Sequence, residues 1–575
     1  MFKLFRLLKP YRVSVAAIIV LMLAQSLAQL YLPTLLSDIV DVGVLKGDVP
    51  YILLYGAYML LVAMGAMACV IVASYLLAKT ATGFGRDLRR KLFSHVESFS
   101  LHEFDKLGTS SLITRTTNDI AQVQQVIVMM RMFIGAPTML IGGVIMATYK
   151  DTHLALVLIA VIPILILAII GIMRKGLPLF KVLQVKIDGI NLVLREHLTG
   201  IRVIRAFNRS GHEKSKFEKA NLDYTQTAIK VNTLMATMMP IMMLVFNLGI
   251  VVILWYGGLR IDQNQMQIGD LMAFIQYAMQ IMFSMFMMTM IFMMIPRASA
   301  SSVRILEILG LQSTILEAEA APSPALHQPA AIEFHHVTFR YPGAEQPAIR
   351  DISFRAEPGE VTAIIGGTGS GKSTLIHLLL RFYDVDTGAI TIDGQPLPQL
   401  PLESLRQRIG YVPQKAALFS GTVADNIRFG CESATDAEIA QAAETAQAAG
   451  FIAELKDGYQ SVLSQGGANL SGGQKQRLAI ARALARKPDI YVFDDSFSAL
   501  DFKTDAKLRA ALKAETEQAT KIIVAQRVST ILDANRIIVL EDGRIAGIGT
   551  HEELLQSCSV YQEIVASQLS EEEIA

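Results

Sequence analysis

Val361–Thr374 reads VTAIIGGTGSGKST. The opening VTAII is a short apolar, β-branched run that predicts a buried strand, and TLIHLLLRF, which begins at Thr374, has the pattern of a helix. Between them stands GxxxxGK[ST], occupying Gly366, Gly367, Thr368, Gly369, Ser370, Gly371, Lys372 and Ser373. Small residues at a strand-to-helix turn let successive backbone N–H groups and the helix N-terminus face a phosphate. In this setting Lys372 is expected to reach the terminal phosphates of a nucleotide, and Ser373 to offer an oxygen to Mg2+. The spacing would mean far less without the strand before it and the helix after it.

Further along, DIYVFDDS is a second apolar run, closing on Asp494 and Asp495. A carboxylate at the end of a buried strand suits the second protein contact of a nucleotide-bound Mg2+. NLSGGQKQR, at Asn469–Arg477, precedes that strand. There Ser471, Gly472, Gly473 and Gln474 predict a helix start with free N–H groups able to hold another phosphate.

The rest of the 575 residues differ in kind. The chain is 52% hydrophobic and 18% charged, and its 52 basic residues against 51 acidic ones give a formal charge of +1. So apolar a chain excludes disorder and points to a membrane, and so balanced a charge provides no general field to recruit nucleic acid. Six apolar stretches run from Val13 to Leu36, Tyr51 to Leu77, Val126 to Tyr149, Leu154 to Met173, Ala236 to Tyr256 and Leu271 to Ile295. About 20 residues at 1.5 Å each cross a ~30 Å hydrocarbon core, so six spanning helices are expected. Lys and Arg crowd into the N-terminus and segments 78–125 and 174–235, whereas the opposite side has only Lys46, Lys150 and Arg260. The crowded side is expected to be cytoplasmic.

Both long cytoplasmic segments keep a helical pattern, so the spanning helices are expected to continue into the cytosol as paired arms. More than half of the 26 methionines fall between Met235 and Met294, a composition that suits an adaptable apolar surface as well as ordinary packing. Asn247, Gln276, Gln280 and Ser284 are expected to face the bundle interior or a cavity. Cys69, Cys431 and Cys558 lie too far apart in sequence for a metal-ligand pattern or a disulfide framework. The expected organisation is a transmembrane domain at 1–310, a linker at 311–331 that includes APSPALHQP, and a soluble α/β phosphate-loop NTPase domain at 332–575 in the cytoplasm.

Taken in order, these motifs resemble the nucleotide-binding domain of ATP-binding-cassette (ABC) proteins, and six helices fused ahead of it resemble an exporter half-transporter. The resemblance implies ATP and Mg2+ as ligands, with Ser373, Gln414 and Asp494 at the metal. It matches Tyr341 in FRYPG to the aromatic that stacks on adenine, and Gln414 in YVPQ to the glutamine that senses the metal and contacts the membrane domain. It likens SALD, at Ser498–Asp501, to the loop that follows the acidic strand. Ser110–Ile120 and Arg195–Phe207 resemble the intracellular loops whose short coupling helices press on the nucleotide domains. The family sets the phosphate loop of one subunit against the LSGGQ segment of another, so a partner half-transporter is implied, along with membrane lipid and a small lipophilic cargo.

Two departures bear on catalysis. Where active members carry glutamate after the metal-binding aspartate, this chain has Asp495; where they carry a histidine in the switch loop, it has Gln526. Aspartate is one methylene shorter, and misplacing an attacking water by about 1 Å can cost on the order of 100-fold in rate. Gln526 can hydrogen-bond but cannot become cationic. SQGG, at Ser464–Gly467, also lacks the acidic residue usual before the signature. With its own LSGGQ intact, the chain resembles the degenerate-site subunit of heterodimeric bacterial multidrug exporters.

Overall fold

The computed structural model describes Leu4, residues 6–315 and residues 330–568. Lys3 and the APSPALHQP stretch lie outside them. The chain divides into two compact units, one of Met1–Glu97 with Ser110–Gly310, the other of Ser98–Thr109 with Leu311–Ala575.

In the first unit six helical segments are long and apolar enough to cross a membrane: Arg6–Val44, Val49–Glu97, Thr109–Lys150, Thr152–Thr199, Ser210–Asp262 and Ile268–Gly310. Val49–Glu97 has 49 residues, so at 1.5 Å per residue it is ~74 Å long, more than twice the apolar thickness of a bilayer. The surplus length is the helical arm expected from the sequence. Two turns of π-helix, Ile39–Val44 and Arg115–Asp119, interrupt the segments they sit in.

Several polar side chains buried among these helices are partnered by residues distant in sequence. The Tyr277 hydroxyl donates to the Leu30 carbonyl at 3.1 Å and lies 2.8 Å from the Thr34 hydroxyl. Two of the three cations on the sparsely charged side are paired. Lys150 Nζ donates to Asp270 at 2.7 Å and to the Ser37 hydroxyl at 3.0 Å, while Arg260 meets Asp151 at 3.1 Å. At the other end Arg304 Nε donates to the fully buried Asp119 at 2.7 Å. Of the residues expected to face inward, Ser284 is buried and Gln276 and Gln280 are half-buried, but Asn247 is exposed.

In the second unit the antiparallel sheet comprises β1 (Ile332–Phe339), β2 (Ile349–Ala356), β4 (Thr387–Ile392) and the short β5 (Gln395–Pro396), in the order β2-β1-β4-β5. The larger sheet contains β3 (Val361–Gly366), β6 (Ile409–Val412), β9 (Ile490–Asp494), β10 (Thr520–Val524), β11 (Arg536–Glu541) and β12 (Arg544–Gly549), in the order β12-β11-β3-β10-β9-β6. A two-residue pair, β7 (Gly421–Thr422) and β8 (Val462–Leu463), stands apart. The larger sheet is parallel except for β12, so both its faces must be covered. Accordingly β9 and β10 are buried along their whole length, and β9 reads as an apolar run, Ile490 to Phe493, instead of an alternating one.

Ser98–Thr109, although flanked by membrane helices in sequence, packs with this second unit. Its helix Leu101–Leu107 opens on a capping box: Ser100 accepts from His102 N at 3.2 Å, and Glu103 Oε2 accepts from Ser100 N at 2.8 Å. Leu101 packs against the apolar core beneath β1, and the Tyr383 hydroxyl donates to Asp105 at 3.0 Å.

Candidate functional site

β3 ends at Gly366, and the helix Lys372–Leu379 starts six residues later, so Gly366–Gly371 must turn between them within a short span. Two glycines make the turn possible. A Cβ on Gly366 would collide with the Leu540 carbonyl of neighbouring β11, and a Cβ on Gly371, at φ +98°, would come within 2.9 Å of the Ala348 carbonyl. Gly367, Thr368 and Gly369 form the exposed crest of the loop. Ser370 is buried, and its hydroxyl has no hydrogen-bond partner among the described residues.

Lys372 Nζ donates to the carbonyls of Gly366 at 2.8 Å and Gly367 at 2.7 Å, so the lysine lies back across its own loop. Burial lowers its pKa, opposed by the negative charges of Asp495 and Asp494. A partly desolvated ammonium hydrogen-bonded to carbonyls gains by turning to a phosphate.

Three parallel strands carry the loop and its carboxylates. β10 lies between β3 and β9, pairing Val524 with Ile364 on one side and with Asp494 on the other. Asp494, 4% exposed, accepts from the Ser373 hydroxyl at 3.3 Å, so the two residues expected at the metal are together. Burial raises the Asp494 pKa, partly countered by that Ser373 bond, with neighbouring Asp495 raising it further.

Asp495, 7% exposed, has left-handed backbone at φ +47°. Its N–H donates to the Val524 carbonyl at 2.9 Å, and its carbonyl accepts from the Ser498 hydroxyl at 2.9 Å. Gln414 Nε2 donates to its carboxylate at 3.1 Å. Gln526, exposed at the end of β10, lines the same narrow recess as Asp495 and Ser498. Its carbonyl accepts from Gln568 at 2.8 Å. The two residues that depart from the family pattern thus come together in space although they are far apart in sequence.

Tyr341, expected at the adenine, is half-buried, its hydroxyl 3.1 Å from the Thr374 hydroxyl and its ring edge-on to Tyr383 at 5.4 Å. Burial raises the Tyr341 pKa and lowers that of His377, whose ring stands 6.4 Å from Tyr383.

The signature segment has the geometry expected of a helix start. Ser471 caps the helix Gly472–Ala485, accepting from Gln474 N at 3.3 Å, while Gln474 Oε1 accepts from Ser471 N at 2.8 Å. A Cβ on Gly473 would approach the Ala499 carbonyl to 3.1 Å, so that glycine lets SALD lie close. Ser471 and Gly472 are exposed, and no hydrogen bond among the described residues joins this segment to the phosphate loop of the same chain.

Residues not singled out by the motifs also position the site. Gln476 is buried, and its Nε2 donates to the Pro413 carbonyl at 3.0 Å, tying the signature helix to the residue before Gln414. Buried Arg408 donates to Asp489 and to Asp393, both at 2.7 Å, joining the edges of the two sheets. A Glu three residues after Ser100 was the readable signal for the Leu101–Leu107 helix. The Arg408 ion pairs left no local pattern to read.

Comparison with known proteins agrees with this geometry. The ABC transporter transmembrane region family matches residues 15–285, and the ABC transporter family matches residues 349–498. An uncharacterized ABC transporter ATP-binding protein of Mycobacterium tuberculosis (strain CDC 1551 / Oshkosh) is 45% identical over 98% of this chain and 97% of its own length. A fatty acid ABC transporter ATP-binding/permease protein from Mycobacterium bovis is 33% identical, covering 83% of this chain and 75% of its own. A bacterial Atm1-family ABC exporter, solved with ATP bound, superposes with a TM-score of 0.81 at 26% identity, over 97% of this chain and all of that one. The chain belongs to the ABC transporter family, as an ATPase-coupled exporter half-transporter whose six helices span the membrane and whose ATP-binding domain is cytoplasmic.

Proposed function

We propose that this chain is one subunit of a heterodimeric exporter of lipophilic compounds, in which its own ATP site binds nucleotide and hydrolyses it slowly while its LSGGQ segment completes a competent site on the partner. The observation that carries this reading is Asp495, short by one methylene, held by Gln414 at 3.1 Å beside an uncharged Gln526. A carboxylate engaged in this way and a glutamine that cannot become cationic are poor at orienting and activating water.

In this reading Gly366–Thr374 wraps the phosphates, Lys372 turns from its own loop carbonyls to them, and Tyr341 supports the adenine. Ser373, Asp494 and Gln414 offer the hard oxygen donors that suit Mg2+, which would neutralise charge on the terminal phosphates. Ser471, Gly472, Gly473 and Gln474 face the partner's nucleotide. The work of the ATP bound here is to hold the two domains closed, and the partner's site supplies the turnover. A lipid-translocating reading shares the same engine, and the fatty acid transporter among the relatives favours it.

The test is ATP turnover in the complex purified with its partner. Asp495→Glu with Gln526→His is expected to raise hydrolysis at this site by about 10- to 100-fold, the range a well-placed base and a restored geometry supply. Unchanged turnover would remove the geometric explanation.

A further inference from the structure

A cavity of about 820 Å³ opens within the membrane unit, among the helices Arg12–Asp38, Ile120–Val128, Met130–Lys150 and Ile268–Gly310. This is the size of a site for a lipid-like or drug-sized molecule. Its walls are mostly apolar, made by Phe283 and methionines from Met129 to Met294, which can settle against chains of different shape.

Its polar lining is asymmetric in charge. Arg131 is the one ionisable residue among the lining residues, no carboxylate lines the cavity with it, and no ion pair to it occurs among the described residues. Arg131 stands near the start of a helix that ends at Lys150, so by helical rise it lies about 30 Å from the outward end, at the depth of the cytoplasmic headgroups. A cation that lines a membrane cavity without a carboxylate is one whose counter-ion arrives from elsewhere.

An independent observation points the same way. Ser26, 1% exposed, lines this cavity with its hydroxyl unpartnered, and Gln280 lines it with Oε1 unpartnered, although its Nε2 donates to the Gln29 carbonyl at 3.4 Å. Both atoms are closed to solvent as the wall stands, so each carries the cost of an unmet hydrogen bond, which a small shift of the wall toward a ligand would relieve.

We infer that this cavity takes an acidic single-chain amphiphile, its carboxylate or phosphate headgroup paired with Arg131 and its apolar chain lying along the methionine wall. The inference rests on reading the membrane unit as the cargo-handling half of the exporter. It narrows lipophilic cargo to anionic cargo that enters from the cytoplasmic leaflet.

The experiment uses the full-length transporter in phosphatidylcholine nanodiscs and measures equilibrium binding of radiolabelled oleate, 1-oleoyl lysophosphatidic acid and the neutral 1-oleoylglycerol. Both acidic probes are expected to bind at least about tenfold more tightly than the neutral one, and stronger binding of either identifies carboxylate or phosphate as the preferred head. Arg131→Gln is expected to remove that preference while leaving 1-oleoylglycerol binding in place, which shows that the variant is folded. Arg131→Lys should restore most of it, and Ser26→Ala should weaken all three. Equal binding of acidic and neutral probes, no binding at all, or an unchanged preference in Arg131→Gln would overturn the inference. Selective binding without ATP-driven movement of the probe across vesicles would support the anionic cavity and count instead against the export reading.

Discussion

Asp494 and Asp495 are adjacent on one strand end, both nearly buried, yet they have different partners. Asp494 has a hydroxyl at 3.3 Å, and its pKa is raised chiefly by burial. A carboxyl whose folded pKa exceeds its unfolded one favours the folded state fully below the unfolded value and loses that contribution as pH rises through the folded value. Where Asp494 is ionised it therefore costs the nucleotide-free domain stability. Asp494→Asn is expected to raise the melting temperature of the nucleotide-free protein by about 2–4 °C, the shift that ~1 kcal/mol gives a domain of this size, while abolishing the further stabilisation by Mg-ATP. A melting series with and without Mg-ATP checks both signs. Asp495 owes its position to left-handed backbone and to Gln414. In the restored Asp495→Glu background, Gln414→Ala is expected to weaken Mg2+-dependent ATP binding and turnover together, since the amide is proposed as a donor to the metal; higher turnover with binding intact would show instead that its bond to the carboxylate restrains the base.

At the scale of elements, the phosphate-loop turn, its flanking strand and helix, and the six spans were legible because each has a local signature: glycine spacing, an unbroken β-branched run, or about 20 apolar residues in a row. The signature helix was legible at Ser471 for the same reason, because an N-cap is written in four consecutive residues. Ser471→Ala is expected to destabilise that helix start by about 1 kcal/mol and to weaken nucleotide-dependent closure more than ATP binding at Lys372, as read by crosslinking between the domains. What was not legible is what the fold assembles over distance. Nothing in LHEFDKL says that its Asp105 accepts from Tyr383, close to Tyr341, and nothing near Asp495 says that Gln414 will reach it. Because Leu101–Leu107 is bound into the ATP unit while its two chain ends run into membrane helices, Tyr383→Phe should lower transport per ATP hydrolysed. Equal losses in transport and hydrolysis would show that the Tyr383–Asp105 bond is only structural.

For the molecule as a whole, no hydrogen bond among the described residues unites the chain's phosphate loop with its signature segment, and in the proposed reading a second chain completes each of them. Six spans, a charge bias that sets the cytoplasmic side, and one ATP-binding domain make half of a transporter. The proposed inequality lies in the chemistry of Asp495 and Gln526, two positions that the sequence singles out and whose proximity it does not show. The most direct measurement is steady-state ATP hydrolysis by the purified complex after disabling one phosphate loop at a time. The account predicts that Lys372→Ala leaves most of the turnover while the matching lysine substitution in the partner abolishes it. Equal losses from both substitutions, or brisk hydrolysis by this chain paired only with itself, would contradict it.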